Sequence, residues 1–481
     1  MPRDDHIDKP YLPNRKDFHL EKGTVMKSLM KKVFAAAAAI ATVFGLAATT
    51  VATANAADNA TLTVSTTDAK FAGKTVNAYK MFSATVSGDG KAVSYTLTDE
   101  WKPFFKNSVG LTGVTDENVN DKANDYVSKL KDSTLVAFAT KASNWAQTKA
   151  NNITADATAT VSADASNGKY TATFTGLGYG YYVVAVPGAT LANAKSQYAT
   201  LVSVHSTKVD ADIKGDLPTV DKKVQVDGTG KDATDAKIGD TLTFTLTSTI
   251  PDMSAYDTYT FNFKDTLSKG LTFGQVKSVK VENVTLTENT DYTVTTPTAS
   301  NNNTLTVAMK DFKTKQQANA GKKITVTYTA TLNENAVVGG AGNVNSAKIQ
   351  YSNNPSTNGT GESEPSKVRV FTYGFTVDKY TGDQYTDAAT RLAGAEFTLA
   401  HKDGSAISFV QVSAGSATAN AVYRVAKAGE TGTTTITTPA NGKVVFEGLK
   451  NGEYTLTETE APAGYNKLAS AIGVKVNGQN N

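Results

Sequence analysis

The chain has 481 residues, which at roughly 150 residues per domain suggests three domains. Its formal charge of +3 is nearly neutral for that length, and no cluster of Lys and Arg interleaved with aromatics follows residue 56, which argues against a nucleic-acid partner. The absence of cysteine excludes disulfides and thiol chemistry, and with four histidines, two of them at His6 and His19, no metal and no cofactor is expected.

Residues 1–25 are charged and lack apolar periodicity, so they read as an upstream extension outside the fold. Residues 26–56 read as a secretory signal: Lys27, Lys31 and Lys32 precede an apolar run from Val33 to about Ala48, and Ala54-Asn55-Ala56 supplies the small residues of a cleavage site. The apolar run is short and alanine-rich, unlike a membrane span. An exported protein of this length without disulfides needs another staple.

Residues 57–208 begin and end in strand-like text. Between the two ends, Val119, Ala123, Tyr126, Val127 and Leu130 recur at helical spacing, and Leu135, Phe138, Ala142 and Trp145 continue it. The expectation is a β-sandwich with a two-helix excursion. The aromatics of GLGYGYYVV read as core packing and not as a ligand platform. Residues 209–218 read as a junction, with Lys214 exposed in the turn context KGDLP.

Residues 219–367 alternate cleanly in DTLTFTLTSTI, YTFNFKDTL and KKITVTYTATL, as expected of two sheets packed face to face. Side chains alternate across a strand, so Lys222 shares a face with Val220, Val224 and Val226. Asp265 shares a face with Tyr259, Phe261 and Phe263, and Asn345 with Ala347, Ile349 and Tyr351. Taken singly, an inward lysine snorkels and an asparagine caps a turn. Taken together, they suggest chemistry. Burial lowers the pKa of a lysine and leaves a nucleophilic amine, while a buried carboxylic acid keeps its proton and polarises a carboxamide. Attack of Lys222 on Asn345 would expel ammonia, leave an amide cross-link and remove the buried charges.

In residues 368–481, Lys379 shares a face with Phe375 and Val377, and Glu458 with Tyr454 and Leu456, before the stretch Ala461-Pro462-Ala463-Gly464 ends the strand. The text YTLTETEAPAGY resembles the E-box of major pilins from Gram-positive bacteria. The run from VDKYTG through LAGAEFTL resembles a collagen-adhesin B-type domain, and TVDKKV through GNVNSAKIQYSNNP is similar to the second domain of the same pilins.

This resemblance implies a mainly β fold of tandem immunoglobulin-like, collagen-adhesin-type sandwiches, the first carrying the helical insert. It also implies intramolecular Lys–Asn isopeptide bonds assisted by an acid: Lys222, Asp265 and Asn345 in the middle domain, with Asn343 as fallback acceptor, and Lys379 with Glu458 in the last. Lys214 stands where such pilins carry the lysine that a sortase joins to the next subunit, although the usual Val-Tyr-Pro-Lys context is missing and Lys208 and Lys223 stay open. No LPxTG sorting signal follows the E-box. The text at GVKVNGQNN reads as cut before the closing strand and acceptor of the last domain, for which Asn477 is a poor substitute.

The implied function is the structural backbone subunit of a sortase-assembled surface pilus that mediates adhesion. Its partners would be further pilin subunits, a pilus-specific sortase and a host glycan or matrix protein. It would perform no enzymatic turnover. The alternatives are a monomeric wall-anchored adhesin and, much less favoured, a glycosidase.

Overall fold

The computed structural model describes residues 59–87, 93–189, 199–213, 215–355, 359–382 and 390–478. Signal-like residues 26–56 and Lys214 lie outside them. The chain forms two compact units, the second of which starts its main run at Gly215.

The first unit holds two sheets. One places Ala60–Thr66 between Tyr170–Leu177 and Lys208–Asp212, the latter running parallel to it. The first sandwich therefore continues into the stretch expected to be a junction. The other sheet has the order Val93–Leu97, Thr75–Val86, Gly180–Ala185, Ala199–Val204, with Ala157–Thr160 also on Thr75–Val86. All residues of Gly180–Ala185 are buried, as befits a strand covered on both faces, so its tyrosines are core and not platform.

The expected helices are Val119–Ser128 and Asp132–Gln147. A further short helix, Lys102–Asn107, escaped the reading because six residues are too few to display a period. It seats Phe104 and Phe105 at full burial beside Phe82, Phe138 and Trp101.

The second unit contains two sandwiches. In the middle one, the first sheet has the order Thr229–Lys231, Asp221–Val226, Thr241–Thr249, Lys323–Leu332, Leu271–Val281, Val284–Thr285. The second has the order Ala233–Asp235, Ser366–Phe371, Asn343–Ser352, Phe261–Leu267, Thr304–Met309, Tyr292–Thr295. Strict alternation in Thr241–Thr249 and Phe261–Leu267 sends Phe244, Leu246, Phe261 and Phe263 into one shared core.

The last sandwich pairs a sheet ordered Tyr373–Asp378, Lys443–Leu449, Ala421–Val425, Phe409–Ser413 with one ordered Ile436–Thr437, Glu396–His401, Gly452–Glu460, Ile472–Val476. The GVKV text, read as preceding a closing strand, is itself a strand: Ile472–Val476 lies antiparallel on the E-box strand.

The two sandwiches of this unit meet at a short joint. Phe371 ends one strand and Tyr373 begins the next, while the fully buried Thr372 between them donates its hydroxyl to the Leu449 carbonyl at 3.1 Å. Asn451 N–H donates to Asp235 at 2.8 Å, and Lys427 pairs with Glu334 at 2.7 Å. Gly448, at φ +83°, permits the close approach: a Cβ there would lie 2.6 Å from Ile238 Cδ1.

Candidate functional site

Strand register builds the site from four strands. Lys222 lies opposite Leu246, and Tyr328 lies opposite Phe244 two residues away on the same strand, so Lys222 and Tyr328 share the inner face of the first sheet. In the facing sheet, Asp265 lies opposite Ala347 and Asn345 opposite Leu267, which makes them diagonal neighbours on its inner face. The lysine, the acid and the amide inferred from phase are thus brought together between the two sheets, and each is 0% exposed.

The contacts centre on a residue that phase reasoning passed over. The Lys222 ammonium pairs with Asp265 Oδ2 and donates to the Tyr328 hydroxyl at 2.8 Å. That hydroxyl donates to Asp265 Oδ2 at 2.8 Å and accepts from Asn345 Nδ2 at 2.6 Å. Tyr328 therefore touches all three. The second oxygens, Asp265 Oδ1 and Asn345 Oδ1, are buried without a hydrogen-bond partner. Lys222 Nζ also sits 5.0 Å from the ring centroids of both Phe244 and Tyr328, which stack on each other. On the outer side, the Lys222 backbone N–H donates to Ser366 Oγ at 3.0 Å and ties this strand to the other sheet.

The electrostatics follow from dryness. Burial pushes the Lys222 pKa down, and the Asp265 charge only opposes that shift. Burial, with Asp265 next, holds the Tyr328 proton well above the ordinary phenol range. A signal for Tyr328 did exist in the text: it is in phase with Ile324 and Val326, and a tyrosine carried fully inside a sheet needs a partner for its hydroxyl.

Asn343, the fallback acceptor, is a structural residue. Its Oδ1 accepts from Val337 N–H at 2.9 Å, and its Nδ2 donates to the carbonyls of Val337 and Val370, each at 3.1 Å. Nothing in that set points toward Lys222.

In the last sandwich, Lys379 Nζ lies 2.8 Å from Glu458 Oε1, with the lysine side chain 12% exposed and the glutamate 0%. Glu458 Oε2 accepts from Leu468 N–H at 2.8 Å. No carboxamide bonds to either side chain among the contacts of the described residues, and Asn477 is exposed. Of the alternative linkage lysines, Lys208 is exposed on a strand, and Lys223 is engaged by Asp232 at 2.6 Å and Asp221 at 3.3 Å. Among the described residues no group of His, Asp and Glu is placed to hold a metal, and no helix is long and apolar enough to cross a membrane.

Residues 238–355 match the family described as Gram-positive pilin backbone subunit 2, Cna-B-like domain, and residues 383–481 match the SpaA prealbumin-like fold domain. Residues 238–355 of the middle sandwich thus match a Gram-positive pilin-backbone domain, as the sequence resemblance implies. Among individual proteins, it is 25% identical over 291 residues to the trypsin-resistant surface T6 protein of Streptococcus pyogenes serotype M6, covering 55% of this chain and 47% of that protein. The chain therefore spans about half the length of that curated relative.

Two solved structures are also similar. The T6 backbone pilin of S. pyogenes is 21% identical, with 87% of this chain and 80% of that chain covered at a TM-score of 0.49. The full-length major pilin SpaD of Corynebacterium diphtheriae is 21% identical, with 86% and 91% covered at a TM-score of 0.42.

Proposed function

We propose that this protein is the structural backbone subunit of a covalent surface pilus, and that its middle sandwich staples itself through an amide bond between Lys222 and Asn345. The observation that supports this most is the dry cluster of Lys222, Asp265, Tyr328 and Asn345 spanning both sheets of a pilin-backbone domain.

An ion pair buried this deeply costs several kcal/mol of desolvation that its own attraction does not reliably offset. The reaction removes it. The neutral amine of Lys222 attacks Cγ of Asn345, the Cγ–Nδ2 bond breaks, and one proton passes from Nζ to the departing nitrogen, which leaves as ammonia. A proton on Asp265 Oδ1 would let the acid donate to the amide oxygen as charge develops there, giving both unpartnered oxygens a use. The new link closes the loop from 222 to 345. Loop-entropy arithmetic for cross-links gives about 5 kcal/mol of stabilisation.

Lys379 and Glu458 are the matching lysine and acid of the last sandwich, held as an ion pair with no carboxamide bonded to either among the described contacts. Lys214 is the lysine that receives the next subunit, a sortase makes that junction, and the signal-like segment exports the chain. The protein acts by transmitting tension and holding the cell to a surface, without catalytic turnover.

Wall extracts of the parent cell probed for this chain should show a detergent-resistant ladder of high mass, collapsing to one band in a Lys214→Ala strain. A single monomer band in the unmutated strain would contradict the polymer and favour a wall-anchored monomeric adhesin.

A further inference from the structure

We infer that Tyr328 is a catalytic residue of the cross-linking reaction, its hydroxyl passing the proton from the attacking amine to the departing ammonia. This rests on the reading that Lys222 and Asn345 become bonded.

The geometry that carries it is the placement of one oxygen against both nitrogens whose proton counts must change. Lys222 Nζ lies 2.8 Å from the Tyr328 hydroxyl, and Asn345 Nδ2 lies 2.6 Å from it. As the Nζ–Cγ bond forms, Nζ must lose a proton. As the Cγ–Nδ2 bond breaks, Nδ2 must gain one. A hydroxyl that accepts the first proton while turning its own from Asp265 Oδ2 to Nδ2 serves both ends and finishes unchanged, so atoms and charge balance with no co-reactant.

Asp265 meets only the first of these two nitrogens among its observed contacts. Its Oδ2 meets Lys222 and Tyr328, and no hydrogen bond joins it to Asn345 Nδ2. The site is fully buried, so bulk water is no ready substitute for the relay. Tyr328 is held in place by its ring, stacked 5.3 Å from Phe244 and tilted 6.1 Å from Phe273, so its hydroxyl position does not depend on the reacting groups alone. Burial also makes an ionised phenol unfavourable, which suits a group that exchanges protons in concert and does not dwell as an anion.

The test uses the full chain made by cell-free synthesis, quenched at intervals and digested, with the cross-linked peptide pair quantified by mass. The unmutated chain should accumulate a Lys222–Asn345 pair short of one ammonia. Tyr328→Phe should fold to the same far-ultraviolet circular dichroism and form the pair at least about 100-fold more slowly, the usual scale of a lost proton-transfer group. A Tyr328→Phe chain that cross-links at the unmutated rate overturns the relay and leaves the bond itself intact.

If the unmutated chain never forms the pair, the underlying reading falls instead. Should Tyr328→Phe not fold, site-specific replacement of Tyr328 by a difluorotyrosine keeps ring and hydroxyl but makes the proton more acidic. The relay requires a changed rate of bond formation, and an unchanged rate overturns it.

Discussion

The two inward lysine–acid pairs of the second unit differ in depth and in company. Lys222 sits in a strand with a neighbour on each side, is fully buried, and shares a tyrosine hydroxyl with a carboxamide. Lys379 lies just past the end of Tyr373–Asp378, the edge strand of its sheet, keeps 12% of its side chain in solvent, and its ammonium meets only a carboxylate among the described contacts. The same residue types therefore stand in two chemical situations. Complete desolvation makes an ammonium costly and an amine attainable; partial exposure leaves an ordinary ion pair. A lysine beside an acid is not enough: depth and an acceptor in register decide whether the pair can react.

The largest expected effect breaks the middle site. Lys222→Ala should restore the full mass of the chain and lower its stability to denaturant by about 5 kcal/mol, the loop-entropy value for a closed 222–345 loop. Chemical denaturation of both proteins measures it, and a difference below about 1 kcal/mol would mean no cross-link is lost.

Acid should silence the middle site. Burial lowers the Lys222 pKa, so acidification through that lowered value returns the amine to ammonium and removes the nucleophile. Bond formation during synthesis should slow as pH falls; a rate that rises toward acid would show that the neutral amine is not the attacking form.

Lys379→Ala should cost less, about 1–3 kcal/mol, because it strands a buried Glu458 without breaking a covalent link. Thermal melting of the variant checks this. A loss as large as that of Lys222→Ala would imply that the last sandwich is stapled too.

The smallest effect belongs to a part-buried ion pair at the end of Ala421–Val425. Arg424 holds Glu430 through both guanidinium nitrogens and, with the Lys427 backbone N–H, lowers its pKa from 4.5 to about 2. A carboxylate with a lowered folded-state pKa adds stability above its unfolded value and loses it as pH falls through the folded one. Arg424→Ala should therefore cost less than about 1 kcal/mol at neutral pH, with the difference fading between pH 4.5 and 2. A difference that grows in acid would reverse the sign.

Much of the middle site was legible because strand text has a period of two and one buried face, so phase alone assigns Lys222, Asp265 and Asn345 to the interior. Tyr328 was not singled out because an inward tyrosine reads as one more apolar side chain. Its hydroxyl acquires meaning only from the pairing of Lys323–Leu332 with Thr241–Thr249 and from the facing sheet. Phase likewise named the face of Lys379 without its depth, which edge position determines. Asn343 was kept as an alternative because it neighbours Asn345 in sequence, but residues two apart share a face without sharing a cavity, and its amide is consumed by the loop at Val337.

The central claim is that a dry lysine and a dry asparagine become one amide. Mass analysis of peptides from the digested, unmutated full-length chain tests it directly. A single species joining the Lys222 and Asn345 peptides and lighter than their sum by one ammonia is expected; two separate peptides of full mass would mean that the bond does not form.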